Sequence, residues 1–279
     1  MGAETVSSAA AAAWMQRWDA QQERYVADRE ERFAVICDVV ELAVQEVAEP
    51  VVLDLGCGPG SLAARVRERL PSATVVGIDS DPLLLGLARA HYGTAVEWVD
   101  ADLGGDSWAA AVPATVHAAV STTALHWLSA DDLGRLYRAL AARMPSGGVL
   151  IDGDHLGFAD ERLNELALAV RDRRATRAGV QDNEEWLPWW DAILADPQFA
   201  GLARARAARQ SAKDSAAEDG TGQDGAGPAG AGHDSHQQHR HHGNGLTAED
   251  HIGLLRAAGF GSVAPMWQSG DDHVLVAIR

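Results

Sequence analysis

The residues best placed to do chemistry are three glycines and two aspartates. Residues 51–60 read VVLDLGCGPG, with Asp54 inside a short apolar run and Gly56, Gly58 and Gly60 at every second position after it. Glycine carries an entropic cost, so such a run needs a reason. One reason is a sharp turn, and the other is a ligand that must touch backbone. A glycine loop between the first strand and first helix of an alternating sheet lies where such folds bind nucleotides, because the helix N-terminus offers unpaired N–H groups. About twenty residues later a second strand should end in an acid that holds ribose hydroxyls. Asp79 ends the run TVVGID, 23 positions after Gly56. The bland alternatives are a plain strand-to-helix turn for the glycines and a helix cap for Asp79, and a cap is compatible with ligand binding.

These residues need a particular frame around them. Residues 9–48 read as helical, with Phe33, Ile36, Val40, Ala43 and Val47 at three- and four-residue steps. Strands then alternate with helices: VVLDL, ATVVGID, AVEWVD, VHAAVST and GGVLIDG are apolar runs. SLAARVRERL, DPLLLGLARAHY and roughly 131–144 are the helices between them. Asp81-Pro82 is a cap and first-turn pair for the second of these helices. Apolar runs without strict alternation suit strands buried on both faces. LTAEDHIGLLRAAGF restores a helix capped by Thr247 and Asp250, and GSVAPMWQ and HVLVAIR close as a hairpin around SGDD. The expected fold class is α/β, a Rossmann-like, seven-stranded, mostly parallel sheet with helices on both faces and a C-terminal antiparallel hairpin.

Five regions follow: 1–48 as an N-terminal helical lid, 49–156 as the core, 157–207 as a helical substrate cover, 208–245 as a disordered low-complexity insertion, and 246–279 completing the core. From Ala208 to Gly245 there is no Val, Ile, Leu, Met, Phe, Tyr or Trp. Such a stretch cannot bury enough apolar surface to offset its ordering entropy. Its deletion is expected to leave melting temperature and ligand affinity nearly unchanged.

The formal net charge of −17 over 279 residues argues against nucleic acid and anionic membrane as partners. Two cysteines, Cys37 and Cys57, make no disulfide framework, and the N-terminal stretch is a poor signal peptide, so a cytoplasmic setting is expected. The run HDSHQQHRHH holds His233, His236, His239, His241 and His242, but it lacks the fixed scaffold that a specific metal site needs. No metal is expected.

The spacing present is G-x-G-x-G after Asp54, whereas the third glycine of a dinucleotide fingerprint is replaced by Ser61. With Asp79, that pattern resembles the class I S-adenosylmethionine-dependent methyltransferases. VEWVDADL resembles their third-strand segment, and VSTTALHWL their fourth-strand motif in the form seen in small-molecule enzymes of the trans-aconitate methyltransferase kind. MPSGGVLI and LLRAAGFGSV are similar to their later segments. The resemblance covers about 28–155 and 246–279.

The resemblance implies a role for each matching residue. Gly56, Gly58 and Gly60 carry the methionine end of S-adenosyl-L-methionine, with Asp54 beside its ammonium group. Asp79 holds the ribose hydroxyls, with Ser80 and Asp81 as neighbours. Asp102 sits at the adenine amine with Leu103 on the ring, although Asp100 competes for the acid's role. Ser121 and Thr122 line the floor near the methyl group.

His126 and Trp127 come just after the fourth strand, where active sites of this fold lie. His126 is a candidate general base, or a residue that only positions loop or substrate. His155, after the fifth strand, is a second candidate. Trp186, Trp189 and Trp190 read as packing before substrate cover. The expected activity is methyl transfer to a small-molecule acceptor by in-line displacement. The alternatives are an NAD(P)-dependent oxidoreductase and a non-catalytic cofactor-binding regulatory homologue. Acceptor and oligomeric state are not legible.

Overall fold

The computed structural model describes residues 6–219 and 243–279. Seven strands form one sheet in the order β3-β2-β1-β4-β5-β7-β6. The strands are β1 (Val51–Leu55), β2 (Thr74–Asp79), β3 (Glu97–Asp100), β4 (Ala118–Thr122), β5 (Val149–His155), β6 (Ser262–Ser269) and β7 (Asp272–Ile278). The first five run parallel, and β7 enters antiparallel between β5 and β6. Strand order reverses between β1 and β4, and open sheets of this kind bind ligands at that crevice.

The helices are α1 (Ser8–Tyr25), α2 (Arg29–Val44), α3 (Ser61–Arg69), α4 (Pro82–Tyr92), α5 (Ala130–Ala141), α6 (Glu161–Ala178), α7 (Trp186–Ala195), α8 (Ala200–Asp219) and α9 (Ala248–Ala258). Period two along each strand sends alternate residues to opposite faces. Leu53 and Leu55 pack with Leu133, Leu136 and Leu140 of α5, while Val52 meets Ile36 and Val40 of α2 and Leu62 of α3. A third apolar cluster lies off the sheet, where Trp14 and Trp18 of α1, Leu83 and Leu87 of α4, Trp189 of α7 and Phe199 come together.

Two expectations need correction. Residues 9–48 form two helices, broken at Val26–Asp28, because α1 must leave the sheet to pack on α4 while α2 stays against it. The expected disordered insertion does not start at 208, since α8 continues to Asp219. Alanine, arginine, glutamine and lysine are strong helix formers, so lack of apolar residues does not preclude a helix here. Arg206, Arg209 and Lys213 also find carboxylates at the ends of β2 and β3: Asp81 at the α4 cap, Asp100 on β3 and Asp102 just beyond it. At the C-terminal end of that stretch, the Asn244 N–H donates to the His126 carbonyl at 2.8 Å. The histidine run 233–242 lies outside the described residues. Among the described residues, no helix is long and apolar enough to cross a membrane, and no cluster of His, Cys, Asp and Glu has metal-site form.

Candidate cofactor and active site

β1 ends at Leu55, and the chain turns at once toward β2, with the Gly56 and Cys57 N–H groups both donating to the Ile78 carbonyl at 2.9 Å. Gly56, Gly58 and Gly60 have φ of +69°, +53° and +91°, conformations that L-side chains rarely adopt. A Cβ on Gly56 would stand 2.4 Å from the Ala124 Cβ, and one on Gly60 would stand 2.3 Å from the Trp98 ring. Packing and turn geometry therefore require both glycines. Gly58 is different: its nearest neighbour would be the Trp18 ring at 3.7 Å, so only its φ restricts it. Trp18 belongs to α1, which covers the loop, and Asp19 of α1 accepts a bond from the Ser61 hydroxyl at 2.8 Å.

Asp54 is buried, and neither carboxylate oxygen has a hydrogen-bond partner. Burial pushes its pKa up to about 7, outweighing the downward pull of the nearby Ala63 N–H, and the Asp79 charge adds to the rise. Asp79 accepts from the Gly58 N–H and the Asp81 N–H, each at 2.8 Å. Burial still raises its pKa, against the pull of those amides. Asp81 caps α4 by accepting from the Leu83 N–H at 2.8 Å.

The rim beyond β2 and β3 is already filled with ion pairs. Arg206 bonds Asp81 at 2.7 Å, Arg209 donates to both oxygens of Asp100 and to the Ser80 carbonyl, and Lys213 meets Asp102 at 2.9 Å. Burial alone would raise the Asp102 pKa, but the Lys213 ammonium and the Gly104 N–H hold it lower. Leu103 packs against the α5 side of the core. Sequence reasoning missed all three cations. Their spacing at i, i+3 and i+7 was the available signal, since it puts them on one helix face.

At the ends of β4 and β5 a second constellation forms. His126 sits in a short 3₁₀ turn, Leu125–Trp127, and its Nδ1 lies 2.8 and 2.9 Å from the two Asp154 oxygens. Asp154 is fully buried and also accepts the His155 N–H at 2.8 Å. Burial lowers the His126 pKa, but the Asp154 charge and hydrogen bond outweigh it and leave the pKa raised; Asp154 is held low in return. Asp154 is the residue that sequence reading missed here. His155 does not join the pair, because the next residue on a strand faces the other side. Its Nδ1 lies 3.5 Å from Asp271.

Of the floor residues, the Ser121 hydroxyl donates to the Leu55 carbonyl at 2.9 Å, and Thr122 accepts from Arg32 at 3.2 Å. The next residue, Thr123, has φ of +48°, the one positive φ outside glycine among the described residues. Trp186, Trp189 and Trp190 pack edge to face with one another and with α1, the Trp18–Trp189 centroids lying 4.9 Å apart.

Residues 52–148 match the family described as "Methyltransferase domain". A trans-aconitate 2-methyltransferase from Azoarcus sp. is 38% identical over 136 residues, covering 49% of this chain and 50% of the relative. One from Paracidovorax citrulli is 36% identical over 144 residues, covering 51% of this chain and 47% of the relative. The chain thus spans about half the length of the curated relatives it matches. The cleft fits the cofactor of that family: Asp54 is a buried acid lacking a cation, and it lies under a glycine loop at the crevice of the sheet. Over residues 52–148 the chain is thus similar to methyltransferase domains, and its cleft suits S-adenosylmethionine as the cofactor.

Proposed function

We propose that the protein transfers a methyl group from S-adenosylmethionine to a small molecule bearing a hydroxyl or amine, with His126 as general base. When bound, the cofactor supplies a methyl group activated by its sulfonium. Asp54 receives the ammonium group at the methionine end, Gly58 presents open backbone, and Asp79 with Ser80 holds the ribose. Asp102 and Leu103 border the adenine. Ser121 ties the ends of β1 and β4 together, so its part is to fix the floor. His155 has no role in this reading.

The observation that carries the proposal is the His126–Asp154 pair. Asp154 fixes Nδ1 as the protonated nitrogen and leaves Nε2 to take a proton from the acceptor. A carboxylate is already ionised at neutral pH and needs no base. The relatives named for trans-aconitate favour a second reading, in which protonated His126 anchors an acidic acceptor. That reading is weaker, because Asp154 already neutralises the imidazolium. The two differ in sign with pH: base catalysis grows as pH rises through the His126 pKa, and anchoring declines.

The test is release of S-adenosylhomocysteine over a panel of hydroxyl, amine and carboxylate acceptors, trans-aconitate included. Turnover on a hydroxyl or amine, rising with pH and lost in His126→Ala, is the expected result. Turnover on trans-aconitate that falls with pH would sink the base assignment and keep the methyl transfer. Binding of NADH, with neither sulfur cofactor bound, would promote an oxidoreductase instead.

A further inference from the structure

α8 lies across the end of the cleft that the proposed function assigns to adenosine. Its two halves are held in different ways. The first turns are pinned by packing: Leu202 and Ala203 join the third apolar cluster, and Leu202 sits so close to Gly86 that a Cβ there would be 2.4 Å away. Beyond Leu202 the helix has no apolar side chain larger than alanine. From Ala205 to Ser215 only Arg206 and Arg209 are half-buried, and the rest are exposed. The later turns are therefore held by ions: Arg206 on Asp81, Arg209 on Asp100 and the Ser80 carbonyl, and Lys213 on Asp102. The cavity left between α8 and Ser80–Pro82 is about 70 Å³. That admits a few waters, whereas small-molecule sites usually span a few hundred Å³.

The geometry points to α8 as a self-inhibitory latch, in which Arg209 and Lys213 occupy the acids of the adenosine rim and must release them before the cofactor can seat. This rests on the cofactor reading above. The chemistry suits a latch better than a wall. Each pair is partly solvated, with side-chain exposures of 37% and 38% for Arg209 and Asp100 and 50% and 51% for Lys213 and Asp102. Pairs this exposed are individually weak and screened by salt. The apolar first turns supply a fixed end about which the ionic end can lift. Ligand affinity is then lowered by the fraction of molecules in the closed state.

The probe is S-adenosylhomocysteine, titrated calorimetrically into wild type and Arg209→Ala/Lys213→Ala at rising sodium chloride. The latch predicts about 5- to 10-fold tighter binding in the double variant at low salt. It also predicts that wild-type affinity rises with salt while that of the variant stays flat. A second readout needs no variant of α8: amide exchange in Ala205–Asp214 should quicken in Asp100→Asn, and in wild type when the ligand is added. Weaker binding by the double variant, or stronger protection of α8 on binding, would make α8 a wall of the bound state and overturn the latch. Equal binding by both proteins would overturn it while leaving the cofactor reading intact. Failure of the ligand to bind any of these folded proteins would remove the cofactor reading and the latch together.

Discussion

The two halves of the cleft treat a buried carboxylate in opposite ways. At the end of β1, Asp54 has no partner, and burial lifts its pKa to about 7. At the end of β5, Asp154 is just as buried but has His126, and its pKa falls. A buried acid is costly unless paired. The fold has met that cost at Asp154 from within the chain and left it standing at Asp54. On the proposed function the difference is a division of labour between two acids: Asp54 awaits a ligand's cation, whereas Asp154 already holds His126 toward the reaction.

The strongest way to break that comparison is to show that the halves fail together. His126→Ala should reduce turnover by about 10²- to 10⁴-fold, the usual range for a lost general base, with S-adenosylhomocysteine affinity within about twofold of wild type. Loss of affinity of the same size would show that His126 builds the cofactor pocket. Asp154→Asn sharpens the point through pH. Without the carboxylate, burial and the Arg32 charge both act downward on His126, so its pKa should drop below the ordinary value. The rising, acid-side limb of the pH–rate profile would then move to lower pH while the plateau falls.

Asp54→Asn should do the reverse. Removing one partner of a buried charge pair costs about 2–5 kcal/mol, so S-adenosylhomocysteine affinity should fall at least about 30-fold. Stability should move the other way. A carboxyl whose folded pKa lies above its unfolded value stabilises the fold most below the unfolded pKa, and that advantage is lost as pH rises toward the folded pKa, here about 7. Above that pH the wild type carries a buried charge and the asparagine variant does not. Urea melts at pH 8 should find the variant more stable, and melts near pH 4 should find the gap closed. A variant that loses both affinity and stability at pH 8 would mean that Asp54 has a partner in the free protein.

What was legible in the sequence followed from locality. Asp54, the three glycines and Asp79 lie within 26 residues and act through backbone turns, so spacing alone located them. The sheet was legible for the same reason, because apolar runs and turn signals mark each strand in place. Asp154 was not, since its partner lies 28 residues away in sequence and only the parallel pairing of β4 with β5 brings them together. His155 stands out in the sequence as a histidine, while strand period decides which of two neighbours faces the cleft. Arg209 and Lys213 were hidden by composition, as a stretch without apolar residues reads as disorder even where ion pairs hold a helix. Deleting 208–245 would remove both cations, and with them Asn244 from the His126 turn, so the deletion is no longer expected to be silent.

The smallest expected effect concerns Thr123, between the two halves. It is β-branched, its φ is +48°, and its N–H donates to the Gly153 carbonyl at 2.9 Å, which holds the chain as it leaves β4 for His126. Such a backbone costs about 1–3 kcal/mol, and glycine would relieve it. Glycine also loses about 0.5–1 kcal/mol in chain entropy relative to alanine. The balance favours Thr123→Gly by up to about 1–2 kcal/mol, a rise of a few degrees in melting temperature for a domain of this size. Turnover should fall while S-adenosylhomocysteine affinity holds, since the freed turn no longer fixes His126 against Asp154. A variant that is both stabler and fully active would show that the strain serves neither half. One that is less stable would show that the Thr123 side chain contributes more than its backbone costs.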